Sequence, residues 1–313
     1  MKTVLSWSSG KDSAWALHTL RADPSVEVVG LLTTVNAEAQ RVAMHGVRRA
    51  LLQRQAEAVG LPLDVVELPW PCSNEDYEAR MRGAIERAKA LGAEAFAFGD
   101  LFLEDIRAYR EAQLEGTGLR PIFPLWGRDT AALADEMIAG GLEAVVTCVD
   151  PKQLDASFAG RRWDRALLDD LPEGVDPCGE NGELHTLVTD GPMFTRGLEV
   201  GVGEVVERGG FVWGDWTVRR PCIRRRLVRL VTTATIIALA VGVATAGVAA
   251  PAQAQAEPEG PRLRWDDDWA RGHPATWVVM TSAAAGALVF RSLYEPGSEA
   301  LLREPTALDT AVR

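Results

Sequence analysis

The sequence predicts an α/β fold for residues 1 to about 217, with a parallel sheet covered by helices on both faces. Short apolar, β-branched runs alternate along the chain with amphipathic helical stretches, which is typical of a parallel sheet. The strand-like runs are apolar at nearly every position, as expected where both faces of a sheet are buried. With 47% hydrophobic and 25% charged residues, the composition is that of a soluble globular protein with a sizeable core.

The periodicity of apolar residues places the individual elements in order along the chain. Strands are predicted at residues 3–6, 26–34, 63–68, 95–98 and 144–149. Helices are predicted at residues 13–21, 46–59, 75–91, 104–114 and 130–139. From residue 184 the pattern becomes mostly β, and a hairpin of residues 198–207 and 211–217 is expected around Arg208-Gly209-Gly210.

The composition changes abruptly near residue 218. Arginines crowd before residue 230, and no charged residue occurs from 230 to 256. Segment 230–250 is long enough to span a bilayer, which takes about 20 residues, and the Ala-x-Ala pattern after it is typical of a secretory signal peptide. Three interpretations stay open. They are a membrane anchor that holds a cytoplasmic catalytic domain at the inner face, a gene fusion or frame error, and a soluble apolar helix packed on the domain.

Charge and cysteine usage disfavour some classes of function. A net charge of -11 and a pI of about 5.0 disfavour general nucleic-acid binding, which needs a basic face. The four cysteines form neither C-x-x-C pairs nor zinc-finger spacings, so free thiols in a reducing compartment are expected. The first residues are typical of a strand and not of a signal peptide, which favours a cytoplasmic domain.

A small-residue loop between the first strand and the first helix is the strongest local signal, Ser8-Ser9-Gly10-Lys11-Asp12-Ser13. Backbone amides and the helix dipole make such a junction an anion site. Gly10 permits close approach of phosphate, Lys11 supplies a positive charge, and Asp12 is a candidate for capping the helix or holding Mg²⁺. The alternative is an ordinary Ser/Gly turn that caps a helix. The loop is not a Walker A motif, because Leu5 and Asp12 replace its Gly and Ser/Thr.

The loop resembles the S-G-G-x-D-S pyrophosphate loop of the PP-loop ATP pyrophosphatases, the adenine nucleotide α-hydrolase-like group. That resemblance implies ATP as cofactor, with Mg²⁺, and cleavage between the α and β phosphates. Ser9 stands where the first glycine of the motif is usual.

A second polar cluster occupies residues 178–186, with the sequence CGENGELHT. Its carboxylates, amide and imidazole could hold a polar substrate or supply acid–base chemistry, and the alternative is a polar surface loop. The wider stretch 178–194 resembles the C-terminal signature of the diphthine–ammonia ligase family, also called the diphthamide synthase or DUF71 family. Two further stretches resemble that family: His45-Gly46 leading into residues 55–63, and residues 98–126 from Phe98-Gly99-Asp100 to Pro124-Leu125-Trp126.

The resemblance covers residues 1 to about 217 and implies a HUP-type, Rossmann-like ATP domain at residues 1–150 and a smaller mixed α/β substrate-side subdomain at 151–217. The change in composition adds an appended apolar tail at 218–313. The site would lie between the first two parts. The residues expected to bind ATP and Mg²⁺ are Ser8, Ser9, Gly10, Lys11, Asp12, Ser13, Thr33 and Asp100. Those expected on the acceptor side are His45, Glu180, Asn181, Glu183 and His185, with Lys11, Asp12 and Glu183 as catalytic groups. Asp100 as a helix cap and His45 as a surface or capping group are the alternatives.

The predicted function is that of an ATP-dependent ligase that adenylates a carboxylate, releases pyrophosphate and forms an amide with ammonia. In the family's diphthine-acting branch the acceptor is a modified histidine of an elongation factor. That branch carries E-G-G-E-Y-E-T where this chain has ENGELHT at 180–186, which resembles the bacterial subgroup and suggests a small carboxylic acid as acceptor. The alternatives are a non-catalytic adenine-nucleotide sensor tethered to the membrane and a tRNA-modifying PP-loop enzyme.

Overall fold

The computed structural model describes residues 1–42 and 45–219, which form two β-sheets and the helices that cover them. The helices are α1 (Lys11–Ala22), α2 (Arg49–Val59), α3 (Asn74–Ala90), α4 (Glu104–Leu114), α5 (Thr130–Ala139) and α6 (Arg165–Asp169). The strands are β1 (Lys2–Ser6), β2 (Glu27–Asn36), β3 (Arg41–Val42), β4 (Leu63–Leu68), β5 (Ala95–Ala97), β6 (Arg120–Ile122), β7 (Glu143–Val149), β8 (Arg162–Trp163), β9 (Leu184–Asp190), β10 (Val200–Arg208) and β11 (Phe211–Val218).

The first sheet is mostly parallel and is buried on both faces. Its order is β3-β2-β1-β5-β6, with β4 on the outer edge of β2, and only the short β3 runs antiparallel. Successive residues of β1 point to opposite sides. Val4 packs in a cluster with side chains of α3 and α4, and Leu5 in a larger cluster with α1, α2 and α5. The predicted α/β fold with helices on both faces is therefore confirmed.

The second sheet is antiparallel, and it corrects the prediction for one strand. Its order is β10-β11-β7-β8, with β9 also paired to β7. Strand β7, predicted at residues 144–149 as part of the parallel sheet, instead pairs antiparallel with β8, β9 and β11. An apolar run shows that a strand is buried but does not identify its partners, which here lie later in the chain. The division of the chain after residue 150 stays a prediction.

The predicted hairpin is confirmed as β10 and β11. Gly209 and Gly210 both have positive φ angles, 59° and 79°, as a two-residue type I′ turn requires. None of the helices in residues 1–42 and 45–219 is long and apolar enough to cross a membrane. The expected anchor or signal-like segment 230–250, and almost all of the tail 218–313, lie outside the described residues. Membrane attachment therefore has no support here, and the cellular location stays a prediction.

Candidate functional site

The loop between β1 and α1 presents a helix N-terminus to a buried cavity. The carbonyl oxygen of Gly10 accepts hydrogen bonds from Ala14 N at 3.1 Å and from Ser13 Oγ at 2.9 Å. No side chain caps α1 at Gly10. Ser8 Oγ donates to Ser13 Oγ at 3.2 Å, so the two hydroxyls lie side by side at the helix start. The loop thus has the backbone amides, hydroxyls and dipole that suit an anion.

The second sheet fixes this loop from behind through strand β9. The backbone N–H of Val188 donates to Ser9 O at 3.0 Å. Two residues earlier, Thr186 Oγ1 accepts from the backbone N–H of Lys11 at 3.1 Å. Because both bonds join residues at the two ends of the described chain, the loop takes this shape only when both sheets are in place.

Lys11 is the buried cation of the site, with 2% of its surface exposed. Its ammonium donates to Asp12 Oδ2 at 2.9 Å and to the carbonyl oxygen of Cys178, and it lies 5.6 Å from the centre of the Trp163 ring. Burial is the largest single influence and lowers the pKa of Lys11, but the charges of Asp12, Cys178 and Asp176 and the hydrogen bond to Asp12 together outweigh it, so the pKa of Lys11 is raised. Lys11 therefore keeps its charge at any working pH.

Ser9 shows why glycine is usual at its position in the motif. Its φ angle is 74°, in the left-handed region that non-glycine residues adopt at a cost of about 1–2 kcal/mol. It is fully buried, and its hydroxyl finds no hydrogen-bond partner within residues 1–42 and 45–219. Serine in place of glycine at position 9 therefore adds both backbone strain and an unpaired polar group.

We predict that Ser9→Gly stabilises the protein by about 1 kcal/mol. Relief of the strained φ and removal of the unpaired hydroxyl outweigh the extra freedom that glycine gives the unfolded chain, which is worth about 0.4–1 kcal/mol. Urea unfolding would measure it. Ser8→Gly is the control, because Ser8 has an ordinary φ and bonds Ser13, and it should be destabilising. A lower midpoint for Ser9→Gly would contradict the strain argument.

The polar cluster at residues 178–186 lies across the cavity from the loop, where Glu180 points toward β5 and its following turn. Glu180 Oε1 accepts from the backbone N–H of Leu101 at 2.7 Å, and Glu180 N donates to Asp176 Oδ2, also at 2.7 Å. Burial raises the pKa of Glu180 well above its ordinary value, and the nearby Asp12 adds to the effect. A carboxyl group in this setting can hold a proton near neutral pH.

The side chain of Glu183, by contrast, points toward groups of its own loop. Its Oε1 accepts from Asp176 N at 3.1 Å and from Asn181 Nδ2 at 3.0 Å. Its Oε2 is buried and has no hydrogen-bond partner in the described part of the chain. Asn181 and Glu183 therefore shape the loop that carries Glu180, and neither side chain lines the cavity.

Two imidazoles, His45 and His185, complete this wall. Their ring centres are 4.7 Å apart, and His45 Nδ1 donates to the carbonyl oxygen of Thr186 at 3.3 Å. That bond leaves Nε2 of His45 without a proton in the neutral ring. Burial lowers the pKa of His45 to about 4 and that of His185 well below its ordinary value, with Lys11 contributing to both. Both rings are therefore neutral at pH 7.

A buried neutral histidine predicts a loss of stability in acid. The unfolded chain binds a proton at His45 near pH 6.5 and the folded chain only near pH 4, so stability present above pH 6.5 is lost as the pH falls between these values. From pH 7 to pH 5 the loss from His45 is about 2 kcal/mol. His45→Asn should lose less stability than wild type over this range, as measured by urea unfolding at both pH values. Comparison with wild type removes the opposite contribution of Glu180, and equal losses would refute the assignment.

The turn after β5 approaches the helix start very closely. A Cβ on Gly99 would lie 2.9 Å from the backbone carbon of Asp12 and 3.0 Å from Ser13 N, so only glycine fits there. The next residue, Asp100, is 4% exposed and lies 3.5 Å from the guanidinium of Arg110, measured from Oδ2 to Nε. Gly99 thus brings the Asp100 carboxylate beside the loop of residues 8–13, which we call the phosphate-type loop.

Most of the residues predicted from the sequence meet in this one cavity. Those that line it are Ser8, Lys11, Asp12, Ser13, His45, Asp100, Glu180 and His185. Four others do not line it, namely Ser9, Gly10, Asn181 and Glu183, and Thr33 lines an adjoining cavity. The geometry brings the two halves of the expected site together, while the role of each residue stays a prediction.

The sequence reasoning assigned no role to Gln55, which holds the loop from the side of α2. Its Nε2 donates to Ser9 O at 3.0 Å and to Val188 O at 2.7 Å, and its Oε1 accepts from Trp7 Nε1 at 2.9 Å. The available signal was a polar residue on the buried face of α2, between Leu52 and Ala56.

Comparison with known proteins agrees with this geometry. Sequence models of the diphthamide synthase N-terminal domain and C-terminal domain match residues 1–121 and 129–222. The two matches follow each other in the order expected and cover both walls of the cavity.

Curated relatives from several organisms are named diphthine–ammonia ligase. A diphthine–ammonia ligase of Danio rerio is 38% identical over 229 residues, which cover 66% of this chain and 89% of the relative. That of Bos taurus is 30% identical over 234 residues, 66% of this chain and 85% of the relative. The Schizosaccharomyces pombe relative is 27% identical over 226 residues, and the alignment covers only 37% of its length. This chain belongs to the diphthine–ammonia ligase family, the family of the diphthamide synthase domains.

Proposed function

We propose that this chain is an ATP-dependent amide ligase that adenylates a carboxylate and transfers the acyl group to ammonia, releasing AMP and pyrophosphate. The observation that carries the proposal is the single cavity that joins the phosphate-type loop around Lys11 to the wall of Glu180 and His185. A nucleotide phosphate at the first wall and an organic acceptor at the second would meet within this cavity. Family membership supports the same reaction class.

We assign two adjoining cavities to the two ends of ATP. The phosphate end would lie at residues 8–13, where hydroxyls, backbone amides and Lys11 converge. The adjoining cavity combines apolar and aromatic side chains with hydroxyl groups and Arg110, a type of lining that is common in small-molecule sites. Its lining includes Leu32, Thr33, Tyr77, Met81, Phe96 and Phe98. Thr33 Oγ1 is buried and has no hydrogen-bond partner among the described residues, so a base or ribose edge would satisfy it.

Asp12 and Asp100 fit a cation that accompanies the phosphates. Each lines the cavity, and each has one carboxylate oxygen, Oδ1 of Asp12 and Oδ2 of Asp100, without a hydrogen-bond partner in residues 1–42 and 45–219. The described residues contain no cluster of three or more metal-ligand side chains. Mg²⁺ suits such a site, because it is usually held by one or two carboxylates with phosphate oxygens and water, and it would neutralise phosphate charge.

The chain's own groups account for the chemistry of both steps. In the first step an acceptor carboxylate oxygen bonds to the α-phosphorus while the bond to the bridging oxygen breaks, and that electron pair leaves on pyrophosphate. Lys11 and the loop donors stabilise this charge. In the second step ammonia attacks the acyl carbon, and AMP leaves. The neutral imidazole of His185 lines the cavity with a buried and unpartnered Nε2, so it can hydrogen-bond the attacking ammonia, and the proton that ammonia loses leaves with AMP.

For the acceptor side we propose which residues would surround the acceptor and which classes of acceptor to test. His45, Glu180 and His185 would contact the acceptor, and Glu183 with Asn181 would hold Glu180 in position. The relatives are named diphthine–ammonia ligases, which makes a diphthine-bearing protein the first acceptor to test, with small carboxylic acids as the second class. Glu183 stays a candidate catalytic group whose geometry favours positioning.

To test the proposal, the full-length protein is incubated with Mg²⁺, ammonium, one acceptor class at a time and ATP labelled at the α- and γ-phosphates. Production of AMP and pyrophosphate that depends on a carboxylate acceptor is the expected result. Tight ATP binding without AMP under every addition would instead indicate a nucleotide sensor. AMP production that requires RNA would indicate a tRNA-modifying enzyme.

A further inference from the structure

The two cavities of the site share one charged side chain. Ser6, Ser8 and Arg110 line both the cavity at the phosphate-type loop and the aromatic cavity beside Thr33. A nucleotide with its base in the aromatic cavity and its terminal phosphates at Lys11 must pass this junction. The group that lies there is the first phosphate after the ribose.

Arg110 is held at the junction with hydrogen-bonding capacity unused. It lies on α4, is 6% exposed, and its guanidinium packs 4.6 Å from the centre of the Phe98 ring. Its Nε lies 3.5 Å from Asp100 Oδ2, beyond an ordinary charge-assisted hydrogen bond of about 2.7–2.9 Å. Both atoms are buried and without a hydrogen-bond partner in the described part of the chain. A buried guanidinium is costly in this state unless a ligand completes its bonds.

We propose that Arg110 contacts the α-phosphoryl group of the nucleotide and stabilises the charge that develops there as the carboxylate attacks. This inference rests on the proposed ligase function and adds a catalytic residue to it. The planar guanidinium fork matches two non-bridging phosphate oxygens, and the ring of Phe98 keeps it in that plane. Asp100 orients Arg110 from the other side.

The chemistry gives Arg110 a task distinct from that of Lys11. As the new bond forms between carboxylate oxygen and α-phosphorus, charge gathers on the non-bridging α-oxygens. When the bond to the bridging oxygen breaks, the electron pair moves to pyrophosphate, where Lys11 lies. Arg110 therefore acts at the α-phosphorus and Lys11 at the leaving group, and ligands that carry only one of these phosphates separate the two.

The test compares Arg110→Gln with Arg107→Gln by calorimetric titration of the full-length protein with AMP, adenosine and inorganic pyrophosphate. Arg107 is the matched control, because it lies on the same helix and bonds Glu111 at the surface at 2.8 Å. For Arg110→Gln, AMP affinity should fall about tenfold to a hundredfold, as expected for a charge-assisted bond. Adenosine and pyrophosphate affinities should stay within about twofold, and Arg107→Gln should match wild type for all three ligands.

A second variant separates phosphate contact from support of Asp100. Arg110→Lys keeps a cation beside Asp100 but lacks the fork, so AMP affinity should still fall and kcat for AMP formation should fall about a hundredfold. Arg110→Lys also provides the test if Arg110→Gln does not fold. Unchanged AMP affinity in Arg110→Lys, or equal losses for AMP, adenosine and pyrophosphate, would overturn the proposal. Failure of the wild type to bind AMP or ATP would refute the ligase function itself, a result that these variants do not produce.

Discussion

Replacing Lys11 by methionine should lower the rate of acceptor-dependent pyrophosphate release by about a hundredfold to a thousandfold, the loss expected when one preorganised donor is removed from a developing charge. Lys11 is the only lysine that lines the cavity in the described part of the chain. Its raised pKa means that it is charged before ATP arrives, so no reorganisation is needed during the reaction. Methionine keeps the length and apolar volume of the side chain and removes only the ammonium.

The measurement is release of labelled pyrophosphate at saturating ATP. Lys2→Met is the control, since Lys2 is exposed on β1 outside the cavity and should leave the rate within about twofold. Because the substitution also removes the partner of Asp12, folding of Lys11→Met must be verified by circular dichroism and urea unfolding. A folded Lys11→Met protein with the wild-type rate would exclude Lys11 from the charge stabilisation that we propose.

Replacing Gln55 by leucine should destabilise the fold by about 3 kcal/mol and lower ATP affinity with it. Gln55 is fully buried and makes three hydrogen bonds, so leucine leaves the indole N–H of Trp7 without its acceptor and removes a donor from Ser9 O and Val188 O. A buried polar group that loses its partner costs about 1–3 kcal/mol, and several are affected. The lost bond to Ser9 O also frees the backbone of the phosphate-type loop.

Urea unfolding at pH 7 measures the change in the free energy of unfolding. Gln53→Leu is the control, because Gln53 lies on the exposed face of the same helix and surface changes usually stay within about 0.5 kcal/mol. If the two variants proved equally stable, the hydrogen bonds of Gln55 would not support the loop. Reduced stability with unchanged ATP affinity would limit its role to the core.

Local patterns predicted the framework well. Strand β4 and helices α4 and α5 begin and end at the predicted residues, because each combines a clear apolar period with nearby Gly, Pro, Asp or Glu boundaries. The phosphate-type loop was also found, because its six residues are contiguous. The short strands β3, β6 and β8 were missed, since two or three residues carry no period to recognise.

Contacts between residues far apart in the chain were the hardest to predict. Gln55 contacts groups that lie 46 to 133 residues away, and nothing in its own segment identifies them. Glu183 was expected to line the acceptor pocket, but in a loop built around Asp176 its side chain finds two donors nearby and turns inward. The spacing of residues in the sequence predicted which residues share a loop, but it did not predict which side chains face the cavity.

The bond between Lys11 N and Thr186 Oγ1 joins residues 175 positions apart. During synthesis the chain emerges from its N-terminus, so the phosphate-type loop is made first and completed last. Until strand β9 has left the ribosome, residues 8–13 lack the partner that fixes their backbone, and a nascent chain should not capture nucleotide. ATP would then bind and stabilise only the completely folded chain. A protein truncated before β9 should therefore gain no protection from proteolysis when ATP is added.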